Sequence, residues 1–130
     1  MPTKLINEYA THVAVAQISN FSDGISTILE VLPQINIPNM SIKIYETHHK
    51  HKKDAPSGTA KTLADKILLP HSHIFSAREE EIYGLHEVIY ENENEKITII
   101  HEVKNKNIFA IGCIKWIEKI NKSAIRLYKN

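Results

Sequence analysis

The chain has 130 residues and a formal net charge of +1, enough for one domain with a sizeable core and too little charge to attract nucleic acid or an acidic membrane. Apolar and charged contents of 42% and 24% are those of a globular protein, and the one cysteine, Cys113, excludes an internal disulfide and suits a reducing compartment. No apolar run approaches the roughly 20 residues that span a bilayer, and no apolar signal core follows Met1–Asn7, so the cytoplasm is the expected location.

Residues 1–11 carry little periodic signal. His12–Ile18 reads as a short, largely buried strand, followed by a turn cluster at Ser19–Gly24. Ile25, Ile28, Leu29 and Leu32 then form the apolar stripe of a helix that ends at Pro33. After a loop rich in proline and asparagine, Ser41–Tyr45 alternates as a half-buried strand does.

Between that strand and the next helix lie His48, His49, Lys50, His51, Lys52 and Lys53, closed by Asp54-Ala55-Pro56-Ser57-Gly58-Thr59. Ser57 suits a helix N-cap, and Gly58 permits close approach of the backbone to a ligand. The first amides of a helix lack internal partners and favour negative charge. A carboxylate or phosphate would be held there by the Gly58 and Thr59 amides and the Ser57 and Thr59 hydroxyls, beside imidazoles and ammonium groups. The plain alternative is a solvated basic loop before an ordinary capped helix.

That helix carries Ala60, Leu63, Ala64, Ile67 and Leu68 on one face and is stopped by Pro70. Leu69–Arg78 reads as a short connector whose His71 and His73 are taken as exposed side chains, not metal ligands. Leu85–Tyr90 and Lys96–Val103 form an antiparallel hairpin with an acidic tip. A final helix, capped by Asn105 or Asn107, is expected to bury Ala110, Cys113, Ile114 and Ile117, with Phe109 and Trp116 packing beside them. Gly112 within it costs about 1 kcal/mol against alanine unless it permits close packing. The tail from Asn121 to Asn130 is expected to fray. The expected architecture is α+β, an open mixed or antiparallel sheet of about four strands with about three helices on one face.

The run from His48 to Ala60, with Glu46 before it, resembles the signature Glu-x-His-His-x-x-Lys-x-Asp-x-Pro-Ser-Gly-Thr-Ala of the dihydrodipicolinate reductase family, matching every fixed position. Further blocks agree: Asn20-Phe21-Ser22-x-Gly24, Arg78-x-x-x-Ile82-x-Gly84-x-His86, Ile99-x-His101 and Phe109-Ala110-x-Gly112. Asp23, Glu80 and Lys106 depart from the family's usual apolar residue, glycine and arginine, and the 69–78 connector looks shorter than the family's.

The resemblance implies an NADPH- or NADH-dependent reductase of lysine and diaminopimelate biosynthesis, acting on a ring with two carboxylates. It implies His48 as proton donor and Lys52 as a second acid that also binds a carboxylate. His49, Ser57, Gly58 and Thr59 would bind substrate, and Ile18, Ser19, Asn20 and Phe21 would touch the nicotinamide. No metal is implied, and a zinc site on His48, His49 and His51 is disfavoured by crowding and by the flanking lysines.

Gly24, Gly58, Gly84 and Gly112 are too far apart to form the Gly-x-Gly-x-x-Gly turn of a dinucleotide-binding unit. The reading is therefore one substrate-binding and oligomerisation domain over 1–130, with the dinucleotide-binding domain absent. Its implied partners are a small dicarboxylate, further copies of itself (a tetramer in the family) and a separate nucleotide-binding subunit. The alternative is a non-catalytic module that keeps the anion pocket.

Overall fold

The computed structural model describes residues 2–130. Helix α1 (Thr3–Tyr9) leads to strand β1 (Val15–Gln17), then α2 (Asp23–Val31), β2 (Ser41–His48) and α3 (Gly58–Lys66). Strands β3 (Ile74–Arg78), β4 (Leu85–Glu91) and β5 (Lys96–Glu102), helix α4 (Asn107–Ile120) and strand β6 (Leu127–Lys129) follow. The main sheet has four strands in the order β3-β2-β4-β5. β3 runs parallel to β2, and the other pairings are antiparallel. This is the α+β architecture with a mixed open sheet expected from the sequence.

Alternation along the strands divides the sheet into a covered and an open face. On the covered face Ile44, Val88, Tyr90 and Ile74 meet Ile25, Leu29 and Leu32 from α2 and the 3₁₀ turn after it, and Ala60, Leu63 and Ala64 from α3. The open face carries Tyr45 and Phe75, stacked at 5.1 Å and each partly exposed, together with Ile100. Among the described residues no helix is long and apolar enough to cross a membrane.

Several local expectations change. β2 continues to His48, so Glu46 and His48 are inward-facing strand residues and not part of the charged loop. The 69–78 connector contains a 3₁₀ turn at His71–His73 and the edge strand β3, which is short and pairs in parallel with β2. The last ten residues are not frayed: β6 pairs with β1, and Asn130 Oδ1 accepts from the Ser19 amide at 3.0 Å while its Nδ2 donates to the Asn20 carbonyl at 3.1 Å. β1, expected to be largely buried, is half-buried, because its one partner is β6.

α3 ends in a left-handed turn at Leu68 (φ 56°), with the Leu68 and Leu69 amides donating to the Asp65 and Ala64 carbonyls at 3.2 and 2.9 Å. Leu68 is thereby thrown outward to 92% exposure, off the stripe predicted to be buried. α4 is rotated relative to expectation. Gly112 is its buried residue, Cys113, Phe109 and Trp116 are half-buried, and Ala110, Ile114 and Ile117 are exposed. The cause is contact with the turn before α2: a Cβ on Gly112 would lie 1.7 Å from the Phe21 carbonyl oxygen. Glycine here allows an approach no other residue permits.

Candidate functional site

Glu46 and His48 stand two apart on β2 and so share the covered face. Both are buried. His48 Nδ1 lies 2.5 Å from Glu46 Oε2. Since a carboxylate cannot donate, Nδ1 carries the proton and Nε2 is the free end of the ring. Arg78, at the end of β3, grips the same carboxylate with both terminal nitrogens, at 3.0 and 3.1 Å. The Ser57 amide donates to Glu46 Oε1 at 3.1 Å. One carboxylate therefore joins the end of β2, the end of β3 and the start of α3.

Arg78 also holds the loop. It donates to the Asp54 carbonyl at 2.5 Å and, more weakly, to the Lys52 carbonyl at 3.4 Å. The loop turns through a cis peptide bond between Ala55 and Pro56. Ser57 then caps α3, its hydroxyl accepting from the Ala60 amide at 3.2 Å. The Thr59 hydroxyl accepts from Asn20 Nδ2 at 3.1 Å. Both hydroxyl oxygens are thus engaged inside the fold. What the helix start offers an anion is the Gly58 and Thr59 amides, which make no hydrogen bond to other described residues.

Lys52 is half-buried with its ammonium 3.0 Å from Asp54, and its charge acts on both His48 and His86. His49 is half-buried and His51 exposed, with ring centroids 6.3 Å apart. The structure therefore brings His48, Ser57, Gly58 and Thr59 to one corner around Glu46, with Lys52 at its rim. Lys50 instead pairs with Glu80 at 2.8 Å on the surface, and His71 with Asp65 at 2.7 Å.

Two further histidines complete the corner. Register places Glu46 opposite His86 on β4, and His86 opposite His101 on β5. His86 packs edge-on against His48 with centroids 5.2 Å apart, and neither of its ring nitrogens has a partner among the described residues. Burial, joined by repulsion from any charge on His48, His101 and Lys52 and opposed by Glu46, pushes its pKa down to about 3, so it is neutral. His101 meets the Ser22 hydroxyl at 3.0 Å, and burial lowers its pKa too. For His48 burial is again the largest influence and lowers the pKa; the Glu46 carboxylate opposes it, and Lys52 and Arg78 reinforce it. Burial pushes the Glu46 carboxyl up, but Arg78, His48 and the Ser57 amide outweigh it and hold the group ionised.

Glu46, Arg78, His86 and His101 all belong to the matched sequence blocks, yet sequence reasoning gives them no role. The available signal is strand periodicity: residues 46 and 48 must face the same way once β2 is extended past Tyr45.

The predicted cofactor contacts form the turn before α2. Ile18 and Ser19 border an open cleft with Thr62, Lys66 and Asn130, whereas Asn20 is buried and Phe21 is pressed on α4. Of the four, Ile18 and Ser19 are the ones that line this cleft. Among the described residues this turn offers no glycine cradle for the phosphates of a dinucleotide, since Gly24 and Gly112 are occupied by close packing against His101 and Phe21. Asp23, the departure from the resembled pattern, forms an ion pair with Lys115 that ties α2 to α4. Lys106 places its ammonium over the Tyr83 ring.

Residues 21–129 match the family model described as dihydrodipicolinate reductase, C-terminus. Among curated proteins the chain is 38% identical over 124 residues to the 4-hydroxy-tetrahydrodipicolinate reductase of Wigglesworthia glossinidia brevipalpis, covering 88% of this chain and 47% of that protein. It is 39% identical over 114 residues to that of Thermosipho africanus, covering 86% and 52%. A solved structure, the dipicolinate-bound dihydrodipicolinate reductase from Paenisporosarcina sp. TG-14, shares the fold with a TM-score of 0.68 at 21% identity, over 98% of this chain and 56% of that one. The chain thus spans about half the length of the relatives it matches. On the family match and these identities, the chain belongs to the dihydrodipicolinate reductase family, in its C-terminal domain.

Proposed function

We propose that residues 1–130 act as the single substrate-binding, proton-donating and self-associating domain of an NAD(P)H-dependent 4-hydroxy-tetrahydrodipicolinate reductase of lysine and diaminopimelate biosynthesis, in the cytoplasm. The observation that carries this reading is the shared carboxylate of Glu46. It puts a buried imidazole and the unpartnered amides of α3 at one corner, as a charged ring acid requires.

One substrate carboxylate lies at the Gly58 and Thr59 amides, and His49 and Lys52 hold the rest of the ring. His48 delivers the proton through Nε2. In the free protein it is neutral, because burial outweighs the attraction of Glu46. A doubly negative ligand beside it favours the imidazolium, so substrate binding itself loads the proton. Lys52 then offsets negative charge developing on the ring.

The nicotinamide, when bound, supplies the hydride; Ile18, Ser19, Asn20 and Phe21 meet that end of it, and a separate nucleotide-binding partner or domain holds the remainder. Self-association, to a tetramer by family likeness, uses the open sheet face around Tyr45, Phe75 and Ile100.

Calorimetry with pyridine-2,6-dicarboxylate tests the site. Binding is expected to be accompanied by proton uptake near neutral pH and to be lost in His49→Ala; a parent chain that does not bind rejects the reading. Oxidation of NADPH with the dihydrodipicolinate synthase product, after addition of a nucleotide-binding domain, separates a reductase from a module that only binds.

A further inference from the structure

The Glu46 carboxylate has four donors on two oxygens. Oε1 accepts from the Ser57 amide and one Arg78 nitrogen, and Oε2 accepts from the other Arg78 nitrogen and His48 Nδ1. Three of these donors cannot become acceptors: the amide belongs to the backbone, and the guanidinium stays charged. The imidazole alone can exchange donor for acceptor. Its tautomer is therefore decided by what stands at position 46.

The opposite side of the ring is equally specified. His48 Nε2 makes no hydrogen bond to a described residue and is not among the sealed, unpartnered nitrogens. It lies beside Gly84, where an added Cβ would come within 3.2 Å of it. The groups facing the ring are Glu46 on its own strand, Lys52 from the loop, Arg78 from β3 and His86 from β4.

We propose that Glu46 is the positioning residue for His48, and that Arg78 and the Ser57 amide clamp its carboxylate so that the imidazole keeps its proton on Nδ1 and turns Nε2 to the ligand. This rests on the reading of His48 as proton donor. It adds that the donor's orientation is set by a buried carboxylate which itself never touches the ligand. Arg78 fastens the 52–54 loop with the same side chain, so ring orientation and the placement of Lys52 are one device. Hydrogen bonds to a charged acceptor are strong enough to favour the Nδ1–H form roughly tenfold or more.

Long-range ¹H–¹⁵N correlation spectra of the His48 ring, recorded across pH on the full chain, test this. The parent is expected to show the proton on Nδ1, the reverse of a free histidine side chain. In Glu46→Gln the amide nitrogen turns to the imidazole, so the proton moves to Nε2 and the titration midpoint falls, because the favourable carboxylate charge is gone. Glu46→Asp, which keeps the charge, is expected to restore part of the parent spectrum, and the His49 and His51 signals are expected to stay put. A parent with the proton on Nε2 overturns the proposal without any variant having to fold. So does a folded Glu46→Gln whose His48 spectrum matches the parent's. Pyridine-2,6-dicarboxylate calorimetry on the same samples keeps the two readings apart. A parent that shows Nδ1–H yet binds no dicarboxylate upholds the Glu46–His48 pair and defeats the functional assignment.

Discussion

Two ends of one sheet face differ completely within two residues. Across the middle of the sheet, register aligns Ile44, Val88 and Ile99. One step further along it aligns Glu46, His86 and His101. The first row is sealed by Leu63, Leu29 and Leu32 and owes its stability to apolar burial. The second is buried just as deeply but is held by Arg78, the Ser57 amide and the Ser22 hydroxyl. Stability and chemistry are thus placed side by side on the same strands, and the rigid row aims the polar one.

Removing Arg78 should disturb the comparison most. Arg78→Met takes the cationic partner from the buried Glu46 carboxylate and leaves it the Ser57 amide and His48, with an expected loss of about 3 kcal/mol in urea unfolding, together with loosening of the 49–57 loop in hydrogen exchange. At the apolar end, Leu63→Ala removes a side chain only 1% exposed. It should cost about 3 kcal/mol yet leave the His48 spectrum unchanged.

Acid should separate the rows more finely. His86 has a folded pKa of about 3 against an ordinary 6.5, so below 6.5 the unfolded chain binds more protons and stability falls with pH. By about pH 5 this amounts to about 2 kcal/mol, and the loss continues until the folded pKa is reached. His48 and His101, also lowered, act in the same direction. Glu46, whose folded pKa is lowered from 4.5, contributes stability above that value that is lost as pH falls through its folded one. His86→Phe is expected to flatten the pH dependence between 6.5 and 4.5, whereas Leu63→Ala should shift the whole curve without changing its slope. An unchanged slope in His86→Phe would rule out the buried neutral imidazole.

The smallest effect belongs to the helix start. Ser57→Ala loses the cap to the Ala60 amide, for about 1 kcal/mol by thermal unfolding.

Much of the polar corner is legible in the sequence. Ser57 is the expected N-cap, the 85–102 hairpin has the expected pairing with Asn92 closing its tip, and His48 and Ser57 both reach Glu46, whereas Lys50 lies on the surface. Asp23 and Gly112 became intelligible only in three dimensions, through Lys115 and the Phe21 carbonyl. α4 leaves Ile111, Ile114 and Ile117 exposed because one glycine's contact with the Phe21 carbonyl outweighs the apolar pattern along the helix. β3 and β6 are too short, at five and three residues, to announce themselves, and each is set by pairing with a strand about 30 or over 100 residues away in sequence.

The sequence by itself determined which chemical groups are available and their local order, since caps, turns and strand alternation act over three or four residues. Only the tertiary structure decided which of those groups meet. Parallel pairing brought Arg78 to Glu46, and antiparallel register brought His86 and His101 into line with it. Those encounters depend on long-range strand pairing and on desolvation, which no local pattern encodes.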